Sequence, residues 1–293
     1  MSISEHEKAY TPSEWSKRYE SDKLLLYFHK KSQEITNEAQ RITKCELNVP
    51  YSTSERTKYD IYGTDLPNDA PIFLFIHGGY WQEFSKDFAG FPVKVLVSRG
   101  IKVIVAGYNL CPTVTFSQLM QEVKIMMEEI LKLAKDKGSS CVWVAGHSAG
   151  AQMAASLLHD TAWLAHIAEK KYAELLKGLV LIGGIYNLEP LLSTSYNNAL
   201  NLTNKELETY SFGSTDTCGL NPVQNLKVIV TVGECDSPVF IQESRNYAQK
   251  LLEFVDNVEF LLLRNSVDHF DIVENLTNDN FALTKLIIKN VYL

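Results

Sequence analysis

CVWVAGHSAGAQMAASLL, residues 141–158, changes character twice within eighteen positions, and its reading decides the fold. CVWVAG (141–146) is a short apolar run that reads as a buried strand. From about Ala149 to Leu158 the pattern is that of a helix. Between them stands Gly146-His147-Ser148-Ala149-Gly150, a G-x-S-x-G pattern. On a sharp strand-to-helix turn the serine is pushed out at the helix N-terminus, where the helix dipole favours developing negative charge. Such a turn needs small residues beside the serine, because neighbouring backbone passes close by. Chance places the five-residue pattern in about a tenth of chains this long, so its strand–turn–helix setting carries the weight. Ser148 is the candidate nucleophile.

Working outward, further short apolar runs recur: PIFLFI (71–76), IKVIVAGY (101–108), GLVLIGG (178–184), VIVTVGE (228–234) and EFLLLRN (259–265). Helical patterns separate many of them, at about 116–137, 242–254 and on to about 289. CELNVPYS and KYDIYG add two partly alternating strands near the start, after one or two surface helices within 11–43. Runs of this kind alternating with helices predict a mostly parallel central sheet covered on both faces, the α/β-hydrolase fold, in one domain spanning 1–293. Residues 185–226 interrupt the rhythm and are expected to form a small cap-like insertion over the site.

A serine nucleophile needs an oxyanion hole, a base and an acid. His77-Gly78-Gly79-Tyr80-Trp81 follows PIFLFI directly, and a Gly-Gly turn can aim its amides into a pocket. The expected donors are the N–H groups of Gly78, Gly79 and Ala149. In this fold the acid and then the histidine follow the nucleophile in the chain. Of seven histidines, His159, His166 and His269 lie beyond Ser148, and only His269 sits in a loop after a strand-like run. Asp236, just past VIVTVGE, is preferred as the acid over Glu234 and Asp268.

Composition narrows the partners. The chain has 293 residues, 45% apolar and 22% charged, with a formal net charge of -7. That acidic balance argues against nucleic acid. No apolar run reaches the roughly 20 residues that span a bilayer, and the polar N-terminus lacks a secretory h-region. Five scattered cysteines without C-x-x-C spacing argue against zinc and for free thiols in a reducing, cytoplasmic setting. No cofactor or metal is expected, and the oligomeric state stays open, a homodimer included.

The sequence also resembles the kynurenine formamidases (arylformamidases) along nearly its whole length. YTPSEW (10–15), HGGYWQ followed by SKD, GHSAGAQMAA, NLEP, GECDSPVF and VDHFDIVENLT carry the likeness. Asn109 departs from it, standing where many relatives have aspartate. The resemblance implies the triad Ser148, Asp236 and His269, the oxyanion loop at Gly78 and Gly79, and Tyr80 and Trp81 near the substrate. It implies hydrolysis of N-formyl-L-kynurenine to L-kynurenine and formate. Asn187, Tyr196 or Asn197 in the cap are candidates for meeting the substrate's polar tail. A general carboxylesterase, and more remotely a non-catalytic binding module, share the same machinery.

Overall fold

The structure, a computed structural model, describes residues 3–212 and 223–293. Its centre is an eight-stranded sheet in the order β1-β2-β4-β3-β5-β6-β7-β8. The strands are β1 (Cys45–Pro50), β2 (Lys58–Tyr62), β3 (Ile72–Ile76), β4 (Lys102–Ala106), β5 (Val142–His147), β6 (Leu176–Ile182), β7 (Val223–Gly233) and β8 (Val255–Leu263). β2 runs antiparallel to both β1 and β4; every other pairing is parallel.

The pleat explains why the central strands read as unbroken apolar runs. Leu74, Ile76, Ile104 and Val144 join one buried core, beneath the helices Phe116–Lys137, Ala149–His159 and Pro238–Leu251. Their neighbours Phe73, Phe75, Val103 and Trp143 join a second core on the opposite face, beneath Ser21–Ile42 and Ala282–Val291. Alternate side chains go to opposite faces, and both faces are covered, so both sets must be apolar.

The helix Phe116–Lys137 shows how local chemistry sets the boundaries. Thr115 and Gln118 form a reciprocal capping box at its start. Leu119, Met120, Val123, Met126, Met127, Ile130 and Leu131 repeat at helical spacing along its buried face. Gly138, at φ 76°, ends it in the left-handed region.

The expected strands and the long helices are present, with shifted ends. β7 and β8 begin earlier than the apolar runs suggested, at Val223 and Val255. Their first halves, VQN and DNV, are partly exposed and polar, which hides a strand from a hydropathy reading. Consequently the interruption after β6 ends by residue 222 rather than 226. Its described part, 185–212, holds a 3-10 turn (Glu189–Ser193) and two short helices, Asn197–Leu200 and Asn204–Tyr210. The remainder of the expected cap lies outside the described residues. Among the described residues no helix is long and apolar enough to cross a membrane.

Candidate active site

The site forms where β3, β5, β6 and β7 end. Ser148 follows β5 with φ 55° and ψ −119°, a conformation that side chains other than glycine rarely adopt. The surrounding backbone enforces it. A Cβ at Gly146 would lie 2.1 Å from the Gly150 carbonyl oxygen, and one at Gly150 would lie 2.2 Å from that of Ile76. Both glycines are therefore steric requirements of the turn. Ala149 begins the following helix, so its N–H points out of the helix start beside Ser148.

His269 lies in the loop after β8, and Asp236 in the loop after β7. The imidazole Nδ1 lies 2.6 Å from Asp236 Oδ2, with both side chains buried. A carboxylate only accepts, so Nδ1 donates and Nε2 keeps its lone pair for a proton from a nucleophile. Asp236 Oδ1 also accepts the Ser237 amide at 2.7 Å. The rival acids are engaged elsewhere. Glu234 pairs with Arg264 and accepts the Ser266 amide, and Asp268 is bound by Arg18. His159 and His166 are likewise occupied, by Tyr247 and Glu128.

Ser148, His269, His77, Gly78 and Gly79 line one cavity of about 170 Å³. No hydrogen bond links Ser148 Oγ to His269 Nε2; such contacts commonly tighten only once substrate is bound. The amides of Gly78, Gly79 and Ala149 meet no backbone acceptor among the described residues, which leaves them available to an anion. Gly79 has φ 110°, and a Cβ there would press to 2.4 Å from the Glu83 carbonyl oxygen. The Gly-Gly turn is thus dictated by backbone closeness, as at the elbow.

Two histidines found as motif neighbours have definite places. His147 Nε2 lies 2.8 Å from the His269 carbonyl oxygen and donates to it, which ties the elbow to the loop carrying His269. Burial first, and then the neighbouring His269, holds His147 well below the usual imidazole range, so it stays neutral. His77 stacks on Tyr108, and burial pushes it down to about 4.

Tyr80 lines the cavity, stacks on Tyr196 at 3.7 Å and donates its hydroxyl hydrogen bond to the Tyr10 carbonyl. Trp81 does not fulfil the expectation placed on it. It is fully buried, packs edge-on against Phe116 and takes no part in the cavity wall. Tyr80 and Trp81 both take left-handed backbone, at φ 47° and 56°, and this turn sends the indole into the core while the phenol stays at the cavity. Of the three cap candidates, Tyr196 alone reaches the cavity. Asn187 Oδ1 accepts the Glu189 amide and Asn197 Oδ1 that of Leu202, so each stabilises its own turn. Asn109, the departure from the family pattern, is bound by Glu122 and Ser54 away from the cavity.

Sequence reasoning assigned no site role to the N-terminal segment, yet it forms part of the wall. Thr11, Pro12, Ser13, Leu25 and Phe28 all line the cavity. The Ser237 hydroxyl, beside Asp236, donates to the Ala9 carbonyl. Thr11, Pro12 and Ser13 belong to YTPSEW (10–15), one of the stretches that carry the family likeness. Most of the remaining wall is phenylalanine: Phe75, Phe84, Phe88, Phe91 and Phe270.

Comparison with known proteins agrees with this geometry. Residues 73–271 match a family model described as the alpha/beta hydrolase fold. A kynurenine formamidase from Danio rerio is 32% identical over 299 residues, covering 99% of this chain and 97% of its own. One from Salmo salar is 32% identical, covering 99% and 96%. Among solved structures, a protein of Silicibacter sp. TM1040 described as a candidate thioesterase aligns with TM-score 0.77 at 24% identity, over 99% of this chain and 100% of its own. A thermostable carboxylesterase from a metagenomic library aligns with TM-score 0.66 at 18% identity, over 92% and 95%. At those identities the solved structures speak for the fold alone. With a sheet, a site and near full-length relatives in agreement, the chain belongs to the kynurenine formamidase family of the α/β-hydrolase superfamily.

Proposed function

We propose that the protein hydrolyses N-formyl-L-kynurenine to L-kynurenine and formate, a step of tryptophan degradation, with Ser148 as nucleophile, His269 as base and Asp236 as its orienting acid. The observation that carries this reading is the buried 2.6 Å contact between His269 and Asp236 in the cavity that Ser148 opens into. Near full-length relationship to formamidases supplies the substrate.

Ser148 Oγ attacks the formyl carbon as its proton passes to His269 Nε2. The carbonyl oxygen becomes an oxyanion, held by the amides of Gly78, Gly79 and Ala149. Asp236 stabilises the imidazolium that forms. Collapse of the intermediate breaks the C–N bond, and His269 returns its proton to the departing aryl amine. The formyl group then sits on Ser148 as an ester. A water, deprotonated by His269, attacks that ester and releases formate, restoring the serine. An aryl amine leaves more easily than an alkyl amine, which suits an esterase-like site cutting an amide. The acyl side carries one hydrogen and needs little room. The aryl ring calls for an apolar wall, which the phenylalanines and the Tyr80–Tyr196 stack provide.

The described part of the expected cap, 185–212, contributes to the cavity wall in this reading through Tyr196. A cytoplasmic location accords with four free thiols among the described residues.

The test is release of kynurenine from N-formyl-L-kynurenine by purified protein, followed by absorbance and compared with hydrolysis of a short-chain aryl ester. Preference for the formamide supports the reading. Activity on the ester alone would keep the mechanism and reject the substrate.

A further inference from the structure

Next to His269 in the chain, at Asp268, lies a charged cluster that the mechanism above does not use. Asp268, the residue before the base, is completely buried. Its Oδ2 accepts hydrogen bonds from Arg18 Nε at 2.8 Å and Ser16 Oγ at 2.5 Å. Its Oδ1 accepts from Arg18 Nη2 at 3.0 Å and from the amides of Phe270 and Asp271 at 2.9 and 2.8 Å. Arg18 also reaches Glu274 Oε2 through Nη1 at 2.9 Å. One guanidinium therefore holds both ends of the loop and helical turn that contain His269.

We propose that Arg18 is a positioning residue for His269, acting through Asp268, so that the N-terminal segment outside the hydrolase core is part of the catalytic apparatus. The inference rests on the reading of His269 as the base. Residues 1–72 lie outside the stretch that matches the hydrolase family model, and Arg18 lies among them. The contact spans 250 positions of chain and is bidentate, a geometry that fixes direction as well as distance. The base is then held at three points. Asp236 holds its ring, His147 holds its carbonyl, and Arg18 with Ser16 holds the residue before it.

Electrostatics gives the clamp a second consequence. The charged or titratable groups that contact His269 are Asp236 from the loop after β7 and His147 from the elbow, and Asp268 precedes it in its own loop. Asp271 and Glu274 follow in the next helical turn. Arg18 comes from the N-terminal segment, with Tyr27 over its guanidinium at 5.7 Å. Lys31, on the same helix as Tyr27, adds a weaker attraction for the charge on Glu274. Among the described residues Arg18 is the sole cation within ion-pair distance of Asp268, Asp271 and Glu274. Burial works to raise Asp268, but the hydrogen bonds from Arg18 and Ser16 outweigh it and hold the carboxyl below its usual range. Removing the guanidinium leaves that negative charge uncompensated one residue from the imidazole.

Two variants separate geometry from charge. Arg18→Gln removes the cation, and Arg18→Lys keeps it but loses the fork. Both are to be assayed for kcat, KM and the pH profile of kcat/KM, on N-formyl-L-kynurenine and on a short-chain aryl ester. The ester arm reads His269 even if the formamide proves not to be the substrate, so failure of the clamp and failure of the substrate reading are distinguishable. Arg18→Gln is expected to lower kcat about tenfold to a hundredfold with KM within about twofold. Arg18→Lys is expected to recover part of kcat. If Arg18→Gln fails to fold, Arg18→Lys still decides: a lowered kcat at unchanged KM supports the clamp. A folded variant with unchanged kcat and pH profile would overturn the proposal, as would a loss confined to KM.

Discussion

The nucleophile elbow and the base loop meet in one cavity but are built on different principles. At the elbow, position is set by backbone against backbone. Ser148 keeps its unusual φ of 55° because Gly146 and Gly150 leave no room for a Cβ, with carbonyl oxygens 2.1 and 2.2 Å from where one would stand. At the base loop, position is set by side chains from distant parts of the chain. His269 is held by Asp236, 33 residues earlier, and by His147, 122 residues earlier, while Arg18 binds the adjacent Asp268 from 250 residues earlier. The lesson is that the first kind of site is local, steric and intolerant, whereas the second is distributed, electrostatic and tunable.

Variants can break each half of that comparison, beginning with the largest effect. Ser148→Ala should abolish turnover, by about 10⁵-fold or more, while thermal melting stays close to wild type. Retention of near-normal rates would remove Ser148 from the chemistry. Asp236→Asn should lower kcat by about 10⁴-fold, because Nδ1 is then no longer held in the donating tautomer. Loss of that size on Glu234→Gln instead would mean that the acid is misassigned. Gly150→Ala should cost about 2–3 kcal/mol in denaturant titrations, since its Cβ meets fixed backbone. A mutant as stable as wild type would show that the elbow can relax.

Smaller effects sharpen the other half. His147→Ala removes the hydrogen bond to the His269 carbonyl and should reduce kcat about tenfold, with melting lowered modestly. Asp271 offers a pH test. Burial first, and Asp268 second, raises its carboxyl above the usual range. Between the unfolded value and the raised one, the folded state binds more protons, so this group weakens stability as pH rises through that window. Asp271→Asn removes that term and can still accept the Asp268 amide through its carbonyl oxygen. The variant's stability relative to wild type should therefore increase from pH 5 to pH 8, measured by urea unfolding. A difference that is flat or falling with pH would contradict this account.

The same contrast explains what could be read in the sequence. The elbow and the Gly78-Gly79 turn were legible because steric requirements leave local signatures in residue type. The choice of Asp236 and His269 to follow Ser148 came from the chain order of nucleophile, acid and histidine in this fold, set against the ends of the apolar runs. The direction of single side chains in a loop was not legible, which is why Trp81 was expected at the substrate and is buried against Phe116. The polar beginnings of β7 and β8 were hidden because exposed strand ends carry no apolar pattern. Arg18 and the wall residues Thr11–Ser13 were invisible for a further reason. A contact across 250 residues depends on the completed fold, and nothing in WSKRYE marks one arginine among surface charges.

Covalent trapping reads the role of Ser148 as nucleophile without reference to any one substrate. The protein would be treated with an alkyl fluorophosphonate, digested, and the modified residue located by mass spectrometry alongside residual turnover of N-formyl-L-kynurenine. One adduct is expected, on Ser148, with activity lost in proportion to its occupancy. Full activity with Ser148 modified, or inactivation with the adduct on another residue, would contradict it.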